Sequence, residues 1–348
     1  VSTAQTYKLE ALTDIWTGDA SGGPGRLIHT GLLGSIRWWF EVLVRGLGGS
    51  ACDPSHRKDN KPGPCPPRGR KPHAPGHHCV VCELFGCTDW ARKFRFDVLD
   101  ANERVKVSQI KQNETVKFRF TELRPIRPEE WALLDLTLRL IADYGAIGGK
   151  TVYKPTEESS RQSEQHHQDF GLVEPVSSAP CRQLKVEDLR RYVSLPKWRG
   201  LNQGDFAWAS LQNFWCVHGR CLSRQDADQS SFNRVLGRQE SKKCRDCGDV
   251  HDPPRKCPKT KNHPRRRSDQ KPTSNLEKWL AGGRAESKKV LSFKNPPRTF
   301  GFVKPGTITF GKILARLKDA WPDLKDSDFV RGRDVLARLL GSGVGGSL

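Results

Sequence analysis

The sequence has 348 residues, enough for two domains of ordinary size, and its 15 Phe and 10 Trp exclude a chain disordered throughout. Lys and Arg number 59 against 39 Asp and Glu, a formal net charge of +20. A surface this basic selects polyanions, with nucleic acid first and an acidic protein or anionic membrane as the alternatives. No run approaches the roughly 18 apolar residues that span a bilayer, which excludes an integral membrane helix. The first ten residues lack the charged start and apolar stretch of a secretory signal, so a cytoplasmic location is expected. There the 11 cysteines stay reduced, and close Cys pairs hold metal rather than disulfides.

The first predicted element is a strand over 6–13, with Tyr7, Leu9 and Ala11 on one face and Lys8 and Glu10 on the other. A Gly-rich loop over 18–25 leads to a helix over 31–46, where Leu33, Ile36, Trp39, Phe40 and Leu43 recur at helical spacing. The insert 52–78 follows; its seven Pro and three Gly leave no room for a regular element. Phe94, Phe96 and Val98 alternate with charged residues, and so do Val116, Phe118 and Phe120, giving two strands. Pro128 opens a helix that carries Trp131, Leu134, Leu138 and Ile141 on one face and ends at Gly145. One short strand after Gly148 would complete a βαββαβ ferredoxin-like unit.

The polar stretch 151–169 reads as a linker between a first domain at 1–150 and a second at 170–348. Strands are predicted at 170–174, 214–217, 290–294 and 300–304. An amphipathic helix carries Phe310, Ile313, Leu314, Leu317 and Trp321, and a last helix covers 333–340. The fold class expected is α+β, with two ferredoxin-like (RRM-like) units, loop insertions and zinc-binding segments.

Two cysteine groups point to structural zinc. Cys79 and Cys82 are spaced to grip one Zn²⁺ from a tight turn, with Cys87 as a third ligand and Cys52, at the far end of the insert, as the fourth. Cys65, His77 and His78 are rivals for these places, and a set of simply buried thiols is the alternative. The second group is Cys244, Cys247, Cys257 and His263, with His251 competing. It sits in a basic insert over 242–271 that has eleven Lys or Arg against four Asp or Glu. So little apolar surface is expected to stay unfolded unless a metal organises it; a solvated charge run is the other outcome.

The Gly145–Thr151 turn is not a Walker A loop, because Tyr144 stands where the first Gly is required and the turn follows a helix. It suits close approach of backbone and Lys150 to a phosphate, or a plain helix stop. His29 is the one candidate general base, and nothing stands in a recognisable catalytic relation to it.

The run Arg26-Leu-Ile-His-Thr-Gly-Leu-Leu-Gly-Ser-Ile-Arg-Trp-Trp-Phe-Glu41 resembles the N-terminal motif of the RAMP superfamily, the RNA-binding subunits of CRISPR effector complexes. Within it, the chain is most similar to the first-numbered RAMP subunit of the type III-B Cmr complex. The stretches 82–88, 233–238 and 293–302 agree, and the Gly145–Thr151 turn falls where the family has such a loop. The resemblance implies two ferredoxin-like units and a non-catalytic subunit in antiviral defence. Its implied partners are guide RNA, single-stranded target RNA and sister RAMP subunits. It places Arg26, His29, Arg37, Arg45, Lys150, Arg234, Arg238 and Arg298 as candidate RNA contacts. The basic insert 242–271 lies between the matching stretches and is not accounted for by the family. The rival readings are a RAMP-type endoribonuclease that processes guide RNA with His29 as general base, and a zinc-bearing nucleic-acid adaptor.

Overall fold

The computed structural model describes residues 3–18, 23, 25–53, 63–149, 155–157, 162, 165–176, 184–201, 207–224, 230–236, 240–244, 246–249, 256–261, 266–268, 274–282 and 289–341. The chain divides into two compact units, 1–151 with 170–214 and 331–348, and 152–169 with 215–330.

In the first unit, β1 (Ala4–Ala11) is followed by α1 (His29–Gly46), the short α2 (Val80–Phe85), β2 (Phe94–Leu99), β3 (Thr115–Glu122), α3 (Pro128–Tyr144) and β4 (Val173–Pro175). The helix α4 (Val186–Val193) completes this run. The strands form one sheet in the order β2-β3-β1-β4, with β1 antiparallel to both neighbours and β2 antiparallel to β3. This is the strand order that βαββαβ connectivity produces. Alternation decides the faces. Tyr7, Leu9, Ala11, Phe94, Phe96, Val98, Val116, Phe118 and Phe120 are buried, whereas Lys8, Glu10, Arg95, Asp97, Lys117 and Arg119 lie on the other side, exposed or half-exposed.

The strand that closes this sheet is not the one expected after Gly148. Val173, Glu174 and Pro175 pair with Ala11, Glu10 and Leu9, so the segment read as the start of a second domain is the last strand of the first. The predicted position falls partly on 150–154, outside the described residues. Gly171 ties the start of the strand to the segments after β1 and α3: its N–H donates to Asp14 O at 2.9 Å and its carbonyl accepts from Ile147 N at 2.7 Å. Its φ of +84° and the nearness of the Ile147 carbonyl require glycine.

The second unit holds β5 (Phe214–His218), α5 (Ser231–Leu236), a hairpin of β6 (Glu240–Cys244) and β7 (Arg266–Ser268), and α6 (Asn275–Ala281). β8 (Val290–Lys294), β9 (Pro297–Phe302), α7 (Phe310–Ala320) and β10 (Val330–Arg331) follow. Its main sheet runs β10-β5-β9-β8, the same relative order as the first sheet once the β6–β7 insertion is set aside. The two sheets differ in burial. Phe214, Trp215, Cys216 and Val217 are consecutive buried residues on β5, and Trp215 stacks on Phe329 at 5.6 Å. Both faces of that strand are therefore covered. The described part of the expected linker belongs to this unit: Thr156 bridges to Arg224, and the Asp169 carboxylate accepts from the N–H groups of Lys294 and Asn295 at 2.7 and 2.9 Å. The final helix α8 (Gly332–Gly341) belongs by its contacts to the first unit, where it meets α3, rather than to the second domain that the sequence suggested.

Candidate metal centres and nucleic-acid interface

The insert after α1 folds back so that Cys52, Cys65, Cys79 and Cys82, all buried, bring their sulfurs within 4.8 Å of one another. A Zn²⁺ bound by four thiolates at about 2.3 Å has sulfur-to-sulfur edges of about 3.8 Å, and Cys52 and Cys82 already lie 3.4 Å apart. Cys79 caps α2, Cys82 lies one turn into it, and the Cys79 N–H donates to Cys65 Sγ at 3.4 Å. Cys87 is not in this group. Its backbone forms a two-way bridge with Trp90, and its half-buried side chain hydrogen-bonds to Cys82 without joining the set of four mutually close sulfurs. Cys65, one of the rivals, takes the place expected of Cys87. A two-residue gap between Cys79 and Cys82 constrains both sulfurs; the approach of Cys65 depends on the path of the Pro-rich loop, which spacing does not reveal.

Two guanidinium groups face the sulfurs. Arg37 donates to Cys82 Sγ at 3.2 Å, to Cys52 Sγ at 3.7 Å and to the Gly86 carbonyl at 3.1 Å, while pairing with Glu41. Arg199 donates to Cys65 Sγ at 3.6 Å and to the carbonyls of Gly63 and Pro64. Hydrogen bonding among the thiols, foremost from Cys65 to Cys52 and from Cys52 to Cys79, holds Cys52 and Cys79 below the usual thiol range. The contact with Cys52 is the largest of several that push Cys82 well up. A cluster that shares protons in this way, next to fixed cations, is chemically suited to exchange them for a divalent metal.

Beside the sulfurs runs a chain of buried polar groups that no sequence motif connects. His78 Nε2 lies 2.7 Å from Glu83 Oε2, and Lys93 Nζ lies 2.6 Å from Glu83 Oε1. Lys93 also donates to both Glu130 oxygens, and the Tyr192 hydroxyl donates to Glu130 Oε1 at 2.7 Å. Burial alone would raise the Glu83 carboxyl, but the His78 and Lys93 contacts outweigh it and hold it at about 2. His77 and His78 are thus engaged with each other and with Glu83, not with the four sulfurs. Their partners are scattered from 83 to 192, so no local pattern signals the network.

The second cysteine group lies on the β6–β7 hairpin. Cys244, Cys247 and Cys257 bring their sulfurs within 4.8 Å of one another. Cys257 is held down to about 7, with the Thr260 backbone hydrogen bond as the largest cause. His263 and His251 lie outside the described residues.

The candidate RNA contacts separate sharply. Arg45 is buried, with 3 % of its side chain exposed; it donates to the carbonyls of Ala209 and Ala51 and pairs with Glu41. Arg298, 6 % exposed, lies in the core of the second unit. Arg37 is bound to the sulfurs. These three do not fit an RNA-facing role: burial withdraws Arg45 and Arg298 from solvent, and Arg37 is turned to the sulfurs and Glu41. Arg26 is exposed and Arg234 is exposed on α5, whereas Lys150 and Arg238 lie outside the described residues. His29 is half-buried, and its Nε2 donates to the Lys106 carbonyl at 2.7 Å.

Arg26 and His29 flank the start of α1, where Ile28 supplies no side-chain cap and the first turn has no acidic residue. Against this end lies the Gly-rich turn. The Trp39 indole donates to Ala146 O at 2.9 Å, and a Cβ on Gly145 would stand 2.5 Å from the Trp39 ring. Gly148 donates to Ser35 Oγ at 3.1 Å, and Gly149 donates to Trp16 O at 2.8 Å. A Cβ on Gly148 would lie 2.7 Å from Trp16 O, and one on Gly149 would lie 2.7 Å from Thr17 O. The glycines are therefore required by packing, and they bring the turn, the helix start and the segment at 15–17 into one corner beside the exposed Arg26.

Residues 8–153 match the family model of the RAMP superfamily. Among solved structures, Cmr1 from Pyrococcus furiosus (apo form) is 10 % identical over 98 % of this chain and 97 % of its own, at a TM-score of 0.39. A chain of the type III-B Cmr-beta complex bound to cognate target RNA and AMPPnP is 11 % identical over 92 % and 99 %, at 0.41. One from the Csm3–Csm4 subcomplex of the type III-A CRISPR-Cas interference complex is 15 % identical over 55 % and 93 %, at 0.26. None of the curated proteins matches. The match spans the Arg26–Glu41 helix motif and bears out the resemblance that it carries.

Proposed function

We propose that this chain is a non-catalytic RNA-binding subunit of a Cmr-type CRISPR effector ribonucleoprotein, working in the cytoplasm. It contacts guide and target RNA, packs against sister RAMP subunits through its two ferredoxin-like units, and carries one zinc ion in each cysteine group. The observation that carries the RNA reading is the corner with Arg26 and His29 at the open start of α1, locked by Trp39 and Ser35 to the Gly145–Gly149 turn inside the stretch that matches the RAMP superfamily. Backbone N–H groups at a helix start and a close-packed glycine turn suit a phosphate. The sheet face offers no platform for base stacking, because its outward positions on β1, β2 and β3 are charged or Thr rather than aromatic.

The test is binding of single-stranded RNA as a function of salt. If about five phosphates are neutralised, log affinity falls against log salt with a slope near −3.5, about 0.7 per contact. Arg26→Ala is expected to remove about one such contact, whereas Arg45→Ala and Arg298→Ala leave the slope unchanged. An affinity independent of salt would overturn the reading. Metal-free cleavage of repeat RNA that is lost in His29→Ala would replace it with the endoribonuclease.

A further inference from the structure

The basic finger of the second unit makes the same turn twice. In Cys244–Gly248 the Gly248 N–H donates to the Cys244 carbonyl at 2.9 Å, and Gly248 has φ +85°. In Cys257–Lys261 the Lys261 N–H donates to the Cys257 carbonyl at 2.8 Å, and Lys261 has φ +58°. A non-glycine residue in the left-handed region is uncommon, so the second turn is a specific conformation and not a default of its sequence. The two pentapeptides align residue by residue, Cys-Arg-Asp-Cys-Gly with Cys-Pro-Lys-Thr-Lys. Cys244 starts the first turn at the end of β6, opposite Arg266 of β7.

A Cys-x-x-Cys turn of this shape presents two sulfurs to one cation, and two such turns on a hairpin make the four-thiolate site of a zinc ribbon. Here the first turn supplies Cys244 and Cys247 and the second supplies Cys257, three sulfurs that already converge. The position that matches Cys247 is Thr260, whose hydroxyl hydrogen-bonds to the Cys257 sulfur.

We propose that the finger is a zinc ribbon with Thr260 at its fourth corner, so that the ion is held by three thiolates and its fourth position is exchangeable. A neutral hydroxyl is not among the usual zinc donors, and water or an external ligand fills the place. Three thiolates and Zn²⁺ carry a net charge of −1, against −2 for four, which leaves more of the finger's positive charge in effect. The four-sulfur site of the first unit is then the retentive one, and the finger's zinc is the one that exchanges.

This inference rests on zinc binding by the finger, and the experiment separates the two. Zinc content and release to a chromogenic chelator are measured on the full chain, with cobalt substitution reporting the number of thiolates. Two zinc ions are expected, one released readily. Thr260→Cys is expected to tighten that ion at least about tenfold, the scale of a change in a metal's surroundings, and to raise the sulfur-to-cobalt charge-transfer absorption by one thiolate's worth. His263→Ala is expected to leave both ions in place. A wild-type chain with a single zinc at the first cluster would sink the metal reading and the inference together. Two zinc ions with Thr260→Cys unchanged in affinity and spectrum, or loss of the finger's ion in His263→Ala, would overturn the inference alone.

Discussion

The two cysteine groups solve the same chemical problem in opposite surroundings. In the first unit, four buried sulfurs sit against α1 and α2, with Arg37 and Arg199 directed at them and an ion-paired network of Glu83, Lys93 and Glu130 alongside. In the second, three sulfurs lie on a two-stranded hairpin whose surrounding sequence is mostly basic and Pro-rich. A metal at the first group would pin a loop onto a core that other forces build. A metal at the second would stand in for a core, since the finger has few apolar side chains to bury. Coordination chemistry that looks alike in sequence can therefore be fastening in one place and folding in another.

The sharpest way to break that comparison is to remove each metal in turn. Cys244→Ser with Cys247→Ser is expected to abolish amide-exchange protection across 240–268 while both main sheets keep theirs; retained protection in the metal-free finger would show that it folds without zinc. Cys79→Ser with Cys82→Ser should have a partial effect. The insert 54–78 becomes open to protease, and the first unit loses stability in denaturant titration, because the loop that the four sulfurs fasten is released. A midpoint that does not move would mean that the cluster fastens nothing.

A smaller and more local effect is expected from Arg37→Ala. Loss of its N–H···S bonds should weaken zinc at the first cluster about ten- to a hundredfold and leave the finger's affinity alone. Equal effects at both would refute the assignment. The smallest expected effect belongs to Cys87→Ser, which should keep the zinc content of the wild type; loss of an ion would restore Cys87 as a ligand in place of Cys65.

Much of the fold was legible because periodicity reports burial directly. The Phe94, Phe96, Val98 and Val116, Phe118, Phe120 alternations, and the stripe of Ile36, Trp39, Phe40 and Leu43, mark the faces that the structure buries. What was not legible is connectivity over distance. Val173–Pro175 is too short to declare its partner, and α8 looks the same in sequence whichever unit it covers. At the sites, Cys79, Cys82, Cys244 and Cys247 were readable from spacing, whereas Arg37 read as a candidate RNA contact. Its destination depends on where the insert returns. Arg199, 134 residues from the Cys65 sulfur that it meets, has no local pattern to announce it.

The discontinuity of the first unit has a consequence for how the chain is made. When the ribosome has released residues 1–150, three strands of the first sheet are complete, but β1 has one bare edge, because its neighbour β4 begins at Val173. A bare edge invites pairing with other chains. The cover that α8 gives α3 arrives later still, with residues 332–341. A chain stopped at residue 150 should therefore aggregate through β1, while one that continues to residue 176 has its own strand with which to close the edge. The unit named first in the sequence is finished last in synthesis, after the whole of 215–330 has emerged.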